Sequence, residues 1–171
     1  MEYAILGWPE DGPTLRLDHE EFSYAGKFVM SNSGKAVARQ DGELLAAIAF
    51  NEDRTDEGTM WLRYVTVRIN RRGDGIGSEL ARFTTGRIHE RGYRRVRIAV
   101  NNPFAYQALY RAGFSWTGEE TGLAELVLEY PAAQSPMKYQ SGLDVFRDRD
   151  LSADEESFLA EKRGSAPPSP R

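Results

Sequence analysis

The 171-residue chain contains no cysteine and only two histidines, His19 and His89. Without thiols it can build no disulfide framework, no thiolate metal site and no cysteine-based acyl-enzyme. Two imidazoles are too few for a histidine-rich metal centre, and no metal is expected. Long hydrophobic runs are missing as well. The longest, Leu44 to Phe50, falls far below the roughly 18 residues of a membrane span. No charged segment followed by an apolar one opens the sequence. The resulting expectations are a cytoplasmic location and no membrane partner. A basic excess is also absent. The net charge is −4 and the pI about 5.3, which argues against nucleic acid as a partner. Lysine is scarce, with 4 against 18 arginines. What is there, 40% hydrophobic and 28% charged residues, is the balance of a globular chain of one-domain size.

Tyr3 to Trp8 reads as a short strand ended by the turn-rich Pro9-Glu10-Asp11-Gly12-Pro13. Thr14 to Asn32 has no clean period and yields no prediction. Lys35–Arg39 and Leu44–Phe50 flank Asp41-Gly42, a hairpin signal. Thr59–Val67, rich in aromatic and β-branched residues, extends this to a meander. Ile76, Leu80, Phe83 and Ile88 keep the three-and-four spacing of a helix through Arg91, with Gly92 as its stop. Tyr93–Val100 alternates as a strand. Asn102-Pro103 starts a short helix that stops at Gly113. Phe114–Thr117 and Leu123–Tyr130 read as a closing hairpin. Pro136 to Asp150 reads as a loop or extended arm. Ser152-Ala153-Asp154-Glu155 has the spacing of a capping box opening a helix to about Lys162. Gly164 to Arg171, rich in proline and serine, is expected to be disordered. The expected organisation is therefore a mixed α/β (α+β) sheet domain over 1–133, an arm with a short helix over 134–163, and a tail over 164–171.

The segment that carries chemistry is strand, glycine-rich turn, helix: Val65-Thr66-Val67, then Arg72-Gly73-Asp74-Gly75-Ile76-Gly77-Ser78. Glycines let a ligand approach the backbone, and the helix start offers unsatisfied N–H groups and the positive end of its dipole. An anion such as a phosphate or pyrophosphate suits that place. A P-loop would need a lysine after its last glycine, and none lies between Lys35 and Lys138. A Rossmann fingerprint would need Gly-x-Gly-x-x-Gly, whereas the glycines fall at 73, 75 and 77. A tight turn with no ligand stays open as an alternative.

Arg72 to Gly77 resembles the Gln/Arg-x-x-Gly-x-Gly/Ala signature of the GNAT superfamily of acyl-CoA N-acyltransferases. Asn102, Ala105 and Gly113-Phe114 resemble that family's second landmark, an Asn opening a helix that ends in Gly-Phe. The resemblance covers about Lys35 to Tyr130. It implies a central, mostly antiparallel sheet flanked by helices and splayed open at the acyl-CoA site, with acetyl-CoA as co-substrate. Backbone amides of Arg72, Gly73, Asp74, Gly75, Ile76, Gly77 and Ser78 would hold the pyrophosphate. Val65 and Val67 would pair with the pantetheine arm, with an N–H near Val65 polarising the thioester carbonyl. Asn102 and Ala105 would flank the pantetheine end.

The implied activity is transfer of an acetyl group to a primary amine, on a small molecule or a peptide, by direct attack in a ternary complex. Many family members place a catalytic tyrosine four residues before the Gly-Phe glycine, where it protonates the leaving thiolate. Here that position is Leu109, and Tyr110 next to it is the candidate acid. Glu20, Glu21, Glu57 and His19 are candidates for the base, with surface charge as the alternative for each. His89 reads as a dipole-favoured surface residue. Phe22, Tyr24 and Phe28 line the acceptor pocket or pack the core. A non-catalytic CoA-binding sensor or interaction module is the alternative function. The 136–162 arm could pack across a partner in a homodimer.

Overall fold

In a computed structural model, described over residues 1–169, the chain divides into two compact units, Met1–Arg97 and from Ile98 onward. The first unit is built on an antiparallel meander of β1 (Glu2–Gly7), β2 (Gly34–Gln40), β3 (Glu43–Glu52) and β4 (Thr59–Val67). Asp41 and Gly42 both take positive φ, +53° and +79°. A two-residue β2–β3 hairpin needs that conformation at both positions, because its twist matches the strands. β3 is buried from Leu45 to Phe50, and a strand covered on both faces reads as a continuous apolar run rather than an alternating one.

One face of the meander carries α2 (Ile76–Glu90), which packs on β2, β3 and β4 through Ile76, Leu80, Ala81 and Ile88. The other face is covered by the segment that shows no period. Leu17, Phe22 and Phe28 pack there on Val37, Ala47 and Ala49, joined by the half-buried Tyr64. Only Ala25–Phe28 (α1) of that segment is helical. Its backbone is tied elsewhere: Leu15 N–H donates to Phe28 O at 2.8 Å and Ile69 N–H to Glu21 O at 2.9 Å. Lys35, 0% exposed on β2, reaches back and donates to Pro13 O, Met30 O and Ser33 O at 2.9, 2.8 and 3.0 Å, and to Ser33 Oγ at 2.8 Å. Burial lowers its pKa from the ordinary lysine value.

β5 (Arg95–Val100) straddles the division between the units. The second unit holds α3 (Pro103–Arg111), the antiparallel pair β6 (Ser115–Glu120) and β7 (Leu126–Tyr130), α4 (Pro136–Arg147) and α5 (Ala153–Glu161). Its core is aromatic: Tyr106, Tyr110, Phe114, Tyr139 and Phe146 are all essentially buried. The result is a mixed α/β fold with antiparallel pairing inside each unit and flanking helices, as the sequence leads one to expect.

The reading of 136–150 as a loop is corrected. Residues 136–147 are helical because Ser135 caps the start, its side chain accepting from Lys138 N–H at 3.1 Å. Pro136 sits in the first turn, where the missing N–H costs nothing. Tyr139, Leu143 and Phe146 repeat at helical spacing on the buried face. The α5 capping box forms as expected, Ser152 and Glu155 bonding reciprocally. Of the expected tail, Ser165 accepts from Gln140 Nε2 through its carbonyl at 2.8 Å, while residues 170–171 lie outside the described residues. No helix among the described residues is long and apolar enough to cross a membrane.

Candidate functional site

β4 leaves the sheet at Val67, makes one turn of 3-10 helix over Ile69–Arg71, and enters α2 through Gly73-Asp74-Gly75. Gly73 and Gly75 have φ of +89° and +81°. In that region any other L-residue pays a steric cost of about 1–2 kcal/mol, which explains the glycine spacing. A Cβ built on Gly73 would meet nothing within 4 Å, so the outer side of the turn is open. Gly77 serves differently: a Cβ there would lie 3.1 Å from Val67 Cγ2, so glycine allows α2 to close on β4. Gly75 is the N-cap of α2 and makes no side-chain cap bond. The other three helices of nine residues or more, α3, α4 and α5, all carry their own side-chain cap. The first-turn amides of Ile76, Gly77 and Ser78 receive no bond from an N-cap side chain.

The basic side chains of the turn brace it. Arg71 pairs with Asp74 at 3.1 Å and donates to Gln40 Oε1 at 3.3 Å. Arg72 donates to Ser23 Oγ at 2.8 Å and to Val67 O at 3.4 Å. Any anion at this turn would meet backbone N–H groups and a helix dipole first, with the guanidinium groups as a frame around them.

Upstream on β4 the ladder is irregular. Tyr64 pairs with Ala49 and Leu62 with Phe50, so Arg63 is an extra residue with no partner on β3, a β-bulge. The extra residue resets the alternation of the strand. Trp61, Arg63 and Tyr64 consequently all line one open cavity of about 880 Å³, together with Lys27, Met30 and Asp53 among others. Asp53 is held by Trp61 Nε1 at 2.7 Å, Thr55 N–H at 2.8 Å, Thr55 Oγ at 2.9 Å and Asp56 N–H at 3.1 Å. These bonds, the indole's foremost, keep its carboxyl far below the usual carboxylate range. A group so saturated with donors is scaffold and not a base. Nothing in the composition of the sequence singles out this cavity, although Arg63, a lone charge inside an otherwise uncharged strand, was a signal that could have been followed.

Residues 2–114 match the acetyltransferase (GNAT) family. The chain belongs to that family. No curated protein matches it. Among solved structures, it is similar to an N-acetyltransferase from Staphylococcus aureus Mu50, at 19% identity and a TM-score of 0.50 over 57% of this chain and 66% of that one. It is similar to a nourseothricin acetyltransferase at 25% identity and a TM-score of 0.51, over 59% of this chain and 66% of that one. The yncA protein of Salmonella typhimurium, solved with its cofactor acetyl-CoA, matches at 15% identity and a TM-score of 0.50, over 57% and 63%. The match thus spans just under two thirds of the length of these proteins.

The GNAT turn and its strand, Val65, Val67 and Arg72–Ser78, lie together in the first unit, as do the bulge and the cavity. Asn102, Ala105 and Tyr110 lie in the second unit. Asn102 is the N-cap of α3, and its Oδ1 accepts from Ala105 N–H at 2.8 Å. The two residues of the second landmark are thus one capping pair. Tyr110 is 0% exposed, its ring tilted against that of Tyr106 and edge-on to that of Tyr139. Its hydroxyl accepts from Trp116 N–H at 2.9 Å and shares a proton with Ser115 Oγ at 3.2 Å. Leu109 beside it is 5% exposed. A side chain with no exposed surface touches no ligand unless the residues over it move.

The base candidates scatter. Glu21 pairs with Arg68 at 3.6 Å, and Glu20, Glu57 and His19 are exposed. His89 is exposed near the end of α2, in keeping with its reading as a surface residue. Phe22 and Phe28 belong to the core, whereas Tyr24 is 55% exposed with its ring 5.5 Å from that of Tyr64.

Proposed function

We propose that this GNAT protein is an acetyl-CoA-dependent N-acetyltransferase acting on a primary amine. The observation that carries the reading is the start of α2. It combines two left-handed glycines, an open outer side and, alone among the described helices of nine residues or more, an N-cap residue that makes no side-chain bond. That is where the backbone amides of Arg72 to Ser78 would hold the pyrophosphate of CoA, and Val65 and Val67 would pair with its pantetheine arm. Acetyl-CoA supplies an activated acyl carbon. A neutral amine would attack it, the C–N bond would form as the C–S bond breaks, and the amine's proton would end on the thiolate or in water. A backbone N–H near Val65 would stabilise the charge that develops on the carbonyl oxygen, a contribution that needs no particular side chain. Without a cysteine, an acyl-enzyme on sulfur is excluded, which supports direct transfer. The likeness to a nourseothricin acetyltransferase supports acetyl transfer as the reaction class.

A CoA thiol has a pKa near that of a cysteine, about 8.5, so departure without a dedicated acid is chemically tolerable. Tyr110 would serve as the acid only if its cover opened. The same burial favours a second reading, a CoA-binding module without turnover. Thermal melting with and without acetyl-CoA, followed by thiol release against a panel of amines, separates the two. A stabilised protein that releases thiol with an amine supports the enzyme. Stabilisation without turnover supports the module, and no stabilisation defeats both.

A further inference from the structure

We infer that the cavity on β4 takes an amine that also carries a carboxylate, an amino acid or the end of a peptide, and that Arg63 binds the carboxylate. The inference rests on the acyltransferase reading for its catalytic meaning. Five charged residues line the cavity: Lys27, Arg54 and Arg63 against Glu52 and Asp53. The carboxylates are already engaged. Asp53 takes four donors, and Glu52 accepts from the Tyr93 hydroxyl. The cations are not. Lys27 has only the face of Tyr64, 5.7 Å away, and Arg54 has no ion pair among the described residues. The cavity thus carries three cations against two carboxylates whose lone pairs are already engaged by neutral donors.

Arg63 is the group built to use it. Its Nε donates to Asn51 Oδ1 at 2.6 Å, and its guanidinium lies over the Trp61 ring at 5.2 Å. Those two contacts fix the plane of the guanidinium, while both terminal nitrogens keep their protons for a ligand. A fork held in this way matches a carboxylate with two parallel hydrogen bonds. Arg63 precedes Val65 by two residues, roughly 7 Å along a strand. A ligand whose carboxylate sits on Arg63 therefore carries an amine a few bonds away to the level of the expected thioester site. The volume, about 880 Å³, lies in the range of small-molecule sites. Arg63 is at once the extra residue of the bulge and the ligand's anchor, which gives the irregularity a purpose.

The test uses matched acceptors, amino acids and the amines obtained by removing the carboxylate, such as L-phenylalanine and phenethylamine. With acetyl-CoA, kcat/KM should favour the carboxylate-bearing member of the best pair by about ten- to a hundredfold. Arg63→Met should bring that ratio close to one, and Arg63→Lys should keep part of it, while acetyl-CoA still raises the Tm of both. Without acetyl-CoA, millimolar amino acid should raise the Tm of the wild type and not that of Arg63→Met. A wild type that prefers the decarboxylated amines, or a ratio that survives in Arg63→Met, overturns the inference. So does absence of any Tm shift with the amino acids. If acetyl-CoA neither binds nor turns over, the acyltransferase reading has failed, and the Tm arm alone then decides what Arg63 binds.

Discussion

Two helices in this chain follow a strand through a short connection, and their first turns are left in opposite states. Both start with the same problem, backbone N–H groups that no preceding turn can accept. At α3, Pro103 removes one of the donors and Asn102 Oδ1 takes that of Ala105 at 2.8 Å. At α2, the cap position is Gly75, which has no side chain to offer, and the residues around it brace the turn without closing it. A self-satisfied start stabilises its own helix. An unsatisfied one stores binding capacity for an anion. The two glycine-and-asparagine landmarks of the family thus differ in kind: the first leaves a vacancy in the hydrogen bonding, and the second fills its own.

The largest effect should come from filling that vacancy. Gly75→Glu adds a carboxylate where the amides point and forces a left-handed φ on a residue that resists it. Acetyl-CoA should no longer raise the Tm, and the apo protein should lose about 1–2 kcal/mol in urea titration. Retained affinity in the folded variant would remove the turn from the site. Tyr110→Phe should cost stability next, about 1–3 kcal/mol, because the partly buried Trp116 N–H is left without its acceptor. Its kcat should stay within a fewfold of wild type, and a fall of about a hundredfold or more would instead identify the acid. Asn102→Ala should cost about 1 kcal/mol in the same titration and leave the Kd for acetyl-CoA as it was. A weakened Kd would show that the capping pair also meets the ligand.

The smallest effect lies in the pH dependence. Tyr3 donates to Glu79 Oε2 at 2.6 Å, and burial followed by that bond pushes its pKa up to about 12 from 10.0. A folded state that keeps the phenolic proton longer than the unfolded chain is favoured below pH 10. That advantage is lost as the pH rises through about 12. Tyr3→Phe should flatten this limb of the stability curve, and an unchanged limb would assign it to the other tyrosines raised by burial, Tyr93, Tyr106 and Tyr139.

The strands and helices of 34–130 were legible because each is set by local pattern: Asp41-Gly42 for the hairpin, β-branched and aromatic residues for β4, an apolar period for α2. The family landmarks sit on those elements and were legible with them. α4 was missed although Tyr139, Leu143 and Phe146 carry its period, because Pro136 reads as a breaker until Ser135 is seen as its cap. Thr14–Asn32 was illegible for a deeper reason. Its order comes from core contacts of Leu17, Phe22 and Phe28 and from a lysine on another strand, none of which leaves a period in the sequence. The cavity likewise depends on a one-residue slip between β3 and β4, and a ladder's register is not written in either strand alone.

Lys35 gives the protein a built-in chemical clock. Its ammonium is sealed against Pro13, Met30 and Ser33, whereas Lys27 and Lys138 stand exposed and Lys162 is half-buried. An amine-directed acylating reagent should therefore mark the exposed lysines at once and leave Lys35 untouched for as long as the 13–33 segment stays in place. The rate at which Lys35 gains mass in a timed labelling experiment, divided by that of the exposed lysines, then measures the fraction of time that segment stands lifted from the sheet.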